Sequence, residues 1–193
     1  MKNKARTAAK PPPINSIDEE LIDECIKENA IAQEKLYKRW SGKLLAIPYR
    51  YTSSRTESIE ILNTAFLKIF QSLQNYSAYE NASFSAWMSK IVLHTTIDQL
   101  RENTSYKKKF VFNLNSDVAV ENTAISKMTT EEILQLLSQL PVNTKTIFNL
   151  YVIEGYKHAE IGKMMNISTA TSRWHLSEAR KAMKELIRKH INN

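Results

Sequence analysis

Between Leu150 and Ile187 the apolar positions recur at helical spacing in two runs separated by a short break. The first run predicts a short helix from His158 to Met165, the break at Asn166-Ile167 a turn, and the second a longer helix opening at Ser168. Leu176, Ala179, Met183, Leu186 and Ile187 form the stripe of that longer helix. Each junction residue has a reason to be where it is. Gly162 is small enough to let two helices cross closely, Asn166 tolerates the left-handed conformation that ends a helix, and the Ser168 hydroxyl can accept from the free amides of the next one. The outcome is a helix-turn-helix. Its second helix begins with a short tip, Thr169 to Arg173, read as polar and outward-facing, which suits a DNA major groove. Two amphipathic helices at a tight turn also occur in all-α proteins that bind no DNA, and a basic helix can be a solvated face. The turn chemistry and the polar tip favour DNA.

Upstream, the same period predicts further helices. Ser16 or Asp18 caps the first, which sets Leu21, Ile22, Cys25 and Ile26 on one face. A second, Ala30 to Arg39, presents Ile31, Leu36, Tyr37 and Trp40, and a separate segment from Leu44 to Tyr51 contains Pro48, expected to kink or restart it. Glu57 to Leu73 carries a broad stripe of Ile59, Leu62, Phe66, Ile69, Phe70 and Leu73, with Glu60, Asn63, Thr64 and Lys68 on another side. From Phe84 to Arg101 a continuous helix turns Trp87, Ile91, Ile97 and Leu100 inward and leaves Lys90, His94, Gln99 and Arg101 outside. The period fails between Glu102 and Thr130, where Asn, Ser, Thr and Asp accumulate, although Phe110-Val111-Phe112 is apolar enough to pack on something. It resumes with Ile133, Leu134, Leu137 and Leu140 before Pro141, then with Asn143 to Glu154, which contributes Ile147, Phe148, Tyr151 and Val152. The expected architecture is all-α: two small helical domains, residues 15–102 and 131–193, joined by a flexible linker, 103–130, and preceded by a disordered basic tail, 1–14. The C-terminal domain holds the helix-turn-helix.

Composition narrows the class. With three glycines in 193 residues, few hairpins could be turned, which agrees with an all-helical chain. A formal charge of +7 and a pI near 9.4 favour an acidic partner, nucleic acid or a membrane surface. Cys25 stands alone, so neither a disulfide framework nor a cysteine-rich zinc site can be built, and a reducing cytoplasm is the expected compartment. No apolar run approaches the roughly 20 residues of a membrane span. His94 and Asp98 lie one turn apart, and His175 and Glu178 approximately so, without the further ligands a metal centre needs. No phosphate-cradling Gly loop and no nucleophile–base set is picked out by spacing, so neither a cofactor, a small-molecule substrate nor an enzymatic activity is expected.

The residues then match a pattern in order. EILNTAFLKIF, an aromatic-rich loop, SFSAWMSKIVLHTTIDQLR, a linker, and finally QLPVNTKTIFNLYVIEGYKHAEIGKMMNISTATSRWHLSEARKAMKEL together resemble the extracytoplasmic-function sigma factors of bacterial RNA polymerase. The likeness covers about residues 30–102 and 131–189, with two motif sets in the family's order. It implies a cytoplasmic protein that binds core polymerase and promoter DNA without entering the membrane, and it admits an anti-sigma protein as a further partner. It implies core docking through Glu60, Asn63, Phe66 and Ile69. The upstream edge of melting at the −10 element would meet Tyr76, Tyr79, Lys90, His94, Gln99 and Arg101, and Lys107 to Lys109 with Phe110 to Phe112 would lead toward the RNA exit path. The −35 element would be read by Ser168, Thr169, Thr171, Arg173, Trp174, Ser177 and Arg180.

Physical chemistry gives those positions a rationale of their own. Melted bases need partners for lost stacking, and an aromatic face offers roughly 1 to 3 kcal/mol per base. Tyr76 and Tyr79, in a loop, are the candidates, whereas Phe84 and Trp87 read as core. His94 and Gln99 can bond an exposed base edge while Lys90 and Arg101 hold phosphates. Several positions depart from the family's habit: Glu60 and Asn63 stand where Asp and Gln are usual, His94 where Asn is common, and Ala170 where Gly is frequent. Trp174 occupies a place often held by Ser, where its indole could touch a thymine methyl, block the groove or pack inward. The competing reading is a two-domain helix-turn-helix regulator that binds DNA without polymerase core.

Overall fold

The computed structural model describes residues 16–52, 54–76, 83–102 and 128–191, and no strand occurs among them. The N-terminal half consists of α1 (Ser16–Ile26), α2 (Ala30–Tyr49), α3 (Arg55–Ser72) with a single 3-10 turn at Leu73–Asn75, and α4 (Phe84–Glu102). Helices α2, α3 and α4 pack pairwise into a bundle, and α1 lies against α2 and the 3-10 turn. The C-terminal half follows with α5 (Thr130–Ser138), α6 (Val142–Phe148), a π turn (Asn149–Ile153), α7 (His158–Met165) and α8 (Thr169–Ile191). α8 is its organising element, against which α5, α6 and α7 all pack.

The start of α2 is local chemistry. Asn29 Oδ1 accepts from the amides of Ile31 (3.0 Å) and Ala32 (3.3 Å), pairing two of the four donors that a helix start leaves open. The helix then runs without interruption to Tyr49, so the expected break after Arg39 is absent. Pro48 falls in its last turn, where a missing donor and a fixed φ end a helix rather than bend one. Leu36, Leu44 and Ile47 share one buried cluster with Leu62, Ala65, Phe66 and Ile69 of α3 and Met88, Val92 and Ile97 of α4. Cys25 is buried as expected, and desolvation first, with Glu24 second, pushes its thiol up to about 11, well out of reach of reactive thiolate chemistry.

Three apolar residues read as inward are not. Ile26 is 42% exposed, Ile31 65% and Ile59 37%. Each lies at the margin of a stripe, where one step of about 100° carries a side chain from core to solvent.

In the C-terminal half, Thr129 and Glu132 form a reciprocal capping box at the head of α5. Pro141 stands at the N-cap of α6 and so starts a helix as well as ending the preceding segment. The predicted helix from Asn143 to Glu154 is instead α6 followed by the π turn. That wider turn changes the register, so Ile147 and Leu150 are buried while Val152 stands 50% exposed. The two halves also touch. Buried Ile147, Leu150, Ile161, Met165 and Leu176 belong to the same apolar cluster as the N-terminal bundle, and α7 rests on α4. A separate cluster of Leu136, Leu137, Leu140, Ala179, Ala182, Met183 and Ile187 holds α5 to α8.

A candidate promoter and polymerase interface

The helix-turn-helix is built by the residues that predicted it. Asn166 ends α7 in the left-handed conformation, φ 53° and ψ 47°, and the amide of Ile167 returns to the carbonyl of Gly162 at 2.9 Å. A Cβ on Gly162 would lie 2.9 Å from the Ile167 carbonyl oxygen, so it is the turn, and not a close crossing of two helices, that demands glycine there. Ser168 Oγ accepts from the Thr171 amide at 3.0 Å and exchanges a bond with the Thr171 hydroxyl at 2.8 Å. α7 is tied to α8 by His158 Nδ1 and Ser172 Oγ, 2.9 Å apart. The His158 ring stacks on Tyr151, whose face also receives Arg180. Ser172 is therefore buried, not part of an outward polar tip.

What α8 does turn outward is a single face. Ala170, Arg173, Trp174 and Ser177, spaced i, i+3, i+4 and i+7, are all exposed, and Arg180 and Lys184 extend the basic side. Thr169 and Thr171 are half-buried, and exposed Ser168 works as the cap. Trp174 is 46% exposed and lies edge-on to His175 at 4.8 Å, so the indole does not pack inward. His175 is in turn held by Thr144 Oγ1 at 3.0 Å. The geometry thus presents one arginine, one indole and one hydroxyl on a rigid helix end.

On α4, Lys90 and His94 are exposed and share a face with half-buried Arg101. Arg101 Nη2 donates to Asp98 at 2.7 Å, and Lys68 of α3 reaches the same carboxylate at 4.0 Å. The His94 imidazole is held below its ordinary pKa by desolvation first and by Lys90 second, which favours the neutral ring and leaves it an acceptor as well as a donor. Gln99 is nine residues from Lys90, half a turn around the helix at about 100° per residue, so it does not join that face. Tyr76 is not free in a loop. Its ring packs at 5.1 Å on Phe84 and 5.2 Å on Trp87, and Phe84 is buried as expected. Tyr79, Lys107 to Lys109 and Phe110 to Phe112 lie outside the described residues.

On α3 the expected docking set divides. Glu60 and Asn63 are exposed, and Tyr37 donates its hydroxyl to Asn63 Oδ1 at 2.9 Å, which fixes the amide. Phe66 and Ile69 are 2% and 0% exposed, so neither offers surface to a partner. Phe66 packs on Tyr37 with ring centroids 4.6 Å apart, in support of the exposed row. Leu67, which was not in the expected set, is 64% exposed and lies on the same side of the helix as Glu60 and Asn63. The spacing Glu60, Asn63, Leu67, i, i+3 and i+7, was the available signal, hidden because Leu67 reads as one more apolar residue in an apolar run.

Two family models match the chain, one in each half. The Sigma-70 region 2 family matches residues 36–106 and the Sigma-70 region 4 family residues 130–183. The chain belongs to the sigma-70 family. It is an RNA polymerase sigma factor of the extracytoplasmic-function type, a transcription initiation factor whose partners are core polymerase and promoter DNA. It is similar to the ECF RNA polymerase sigma factor SigW of Bacillus subtilis, 24% identical over 166 residues, spanning 77% of this chain and 85% of that protein. RNA polymerase sigma-H factor of Pseudomonas aeruginosa is 21% identical over 178 residues, 86% of this chain and 91% of that one. Among solved structures, the sigma factor RpoE in complex with the anti-sigma factor NepR from Bartonella quintana superposes with a TM-score of 0.49 at 13% identity, covering 80% of this chain and 96% of that one.

Proposed function

We propose that this sigma factor meets core polymerase through the outer face of α3, with Glu60, Asn63 and Leu67 as the contact row, and reads its promoter with two other helices. In this reading α4 faces the −10 element through Lys90, His94 and Arg101, and α8 faces the −35 element through Arg173, Trp174 and Ser177. The N-terminal half, residues 15–102, is the core-docking and −10 domain, and residues 131–193 are the −35 domain. The observation that carries the reading is the sorting of exposure along α3: the acid, the amide and the leucine face solvent while Phe66 and Ile69 brace them from beneath.

Each contact has a physical role. A carboxylate and an amide give register and orientation, and a protruding leucine supplies apolar area that becomes buried on docking. On α8, Arg173 has the reach for a bidentate bond to guanine and Trp174 an apolar edge for a thymine methyl. On α4, Lys90 holds a phosphate and neutral His94 bonds a base edge. No helix among the described residues is long and apolar enough to cross a membrane, and the work belongs in the bacterial cytoplasm beside the polymerase.

The test is retention on core polymerase. Leu67→Asp and Glu60→Lys are expected to weaken core binding at least tenfold while leaving the thermal unfolding of the chain unchanged. Retention equal to the unaltered protein for both variants would remove α3 as the docking face.

A further inference from the structure

Arg180 stands on α8 in line with Arg173 and Ser177, two turns beyond the first and one beyond the second, so its Cα lies about 10.5 Å further along the helix than that of Arg173. The major groove is about 12 Å wide, and a helix that enters it by its N-terminal end carries its later turns toward the phosphates at the edge. The Arg180 side chain is exposed, yet it is not unsupported. Its guanidinium lies 6.0 Å from the centroid of the Tyr151 ring, which belongs to the π turn. A cation over an aromatic face is attracted by the ring's quadrupole, and a planar guanidinium also stacks there as an ammonium cannot.

The Tyr151 ring is itself held in place. It stacks on His158, with ring centroids 4.5 Å apart and planes 23° from parallel, and it packs on the buried apolar cluster. His158 Nδ1 in turn meets Oγ of buried Ser172 at 2.9 Å. The contacts close a circuit: α8 at Ser172, α7 at His158, the π turn at Tyr151, and α8 again at Arg180, about 12 Å beyond Ser172 along the axis. Desolvation first, then Arg173 and Arg180, hold the His158 ring below its ordinary pKa, so the neutral imidazole adds no third charge beside the two guanidiniums.

An unrestrained arginine samples many rotamers, and a phosphate contact must freeze them on binding. A side chain already confined loses less freedom at that step. We infer that Tyr151, steadied by His158, is a positioning residue that holds Arg180 ready for a backbone phosphate of the −35 element. The inference rests on reading α8 as the −35 helix, and it adds to that helix a residue from outside the helix-turn-helix. Tyr151 acts through Arg180 and not by a DNA contact of its own. Because a phosphate carries no sequence information, the gain is in affinity and not in base choice.

The experiment uses the full chain and a duplex carrying the −35 element of a promoter that the holoenzyme transcribes, with affinity followed by fluorescence anisotropy between about 50 and 200 mM salt. Arg180→Ala is expected to weaken binding and to lower the slope of log affinity against log salt by about one. Tyr151→Leu, which keeps an apolar side chain in the turn, is expected to weaken binding roughly threefold to tenfold when Arg180 is present and to have no effect once Arg180 is alanine. Tyr151→Phe keeps the ring and should bind as the unaltered chain does. Over duplexes with changed −35 bases, the loss in Tyr151→Leu should be uniform, unlike that in Arg173→Ala. Equal losses with and without Arg180 would mark Tyr151 as merely structural and overturn the inference. A leucine variant as tight as the unaltered chain, or a phenylalanine variant as weak as the leucine one, overturns it too. If neither Arg173→Ala nor Arg180→Ala changes the affinity, the −35 reading of α8 fails and the positioning role goes with it; if both weaken binding while Tyr151→Leu does not, the positioning role alone fails.

Discussion

Phe66 and Leu67 are neighbours in sequence with opposite fates, one 2% and the other 64% exposed. Phe66→Ala is expected to cost about 3 to 5 kcal/mol of stability, the range for emptying an aromatic site in a packed core, measured by urea unfolding. A loss of core binding in that variant would therefore follow from the fold and not from a lost contact. Charge states are set by the same surroundings. The His158 and His175 imidazoles are both held below the ordinary 6.5, each by desolvation first, with Arg173 next for His158 while Glu178 opposes the shift for His175. A folded-state value below the unfolded one means that the unfolded chain binds protons more readily. Their contribution to stability is thus complete above 6.5, is lost as pH falls through that value toward the lowered folded ones, and then levels off. Unfolding free energies measured across that interval should decline toward acid, and His175→Gln should flatten the decline. Such details were not legible beforehand: spacing places Leu67 on α3 but does not say where the apolar stripe ends, and no local pattern marks Lys145 as buried.

Elements whose boundaries depend on local chemistry were the ones the sequence described best. The helix from His158 to Met165, the left-handed Asn166 and the Ser168 cap all stand where turn chemistry put them, because each satisfies backbone groups within a few residues. Ser168→Ala should cost about 1 kcal/mol, seen as a lower melting temperature of the C-terminal half, and should weaken −35 binding in proportion. Where tertiary contact decides, local reading fell short. α2 runs through the expected break at residues 40–43, since Leu36, Leu44 and Ile47 are all anchored in one core and nothing obliges the chain to turn. The π turn at Asn149–Ile153 coincides with a side-chain bond from Asn149 to Arg50, a partner 99 residues away that no periodicity could reveal. On α8, Arg173→Ala should cost roughly 1 to 3 kcal/mol against one particular base pair in titrations of variant −35 duplexes. A loss equal across all sequences would make Arg173 a phosphate contact instead.

For the whole molecule, a formal charge of +7 sets the terms of association with DNA. Binding of a promoter duplex should weaken steeply between about 50 and 200 mM salt, as counterions displaced by each lysine and arginine contact compete more effectively. The division into two functional halves was legible because each bears its own helical motifs. Their packing against one another was not, since the seam joins residues roughly a hundred positions apart. As a sigma factor, this chain confers promoter-specific initiation on core polymerase. Run-off transcription with reconstituted core polymerase on a pool of genomic promoters measures that directly. Discrete transcripts that require the protein and disappear with Leu67→Asp are the predicted result; a transcript pattern identical to that of core alone would contradict the account.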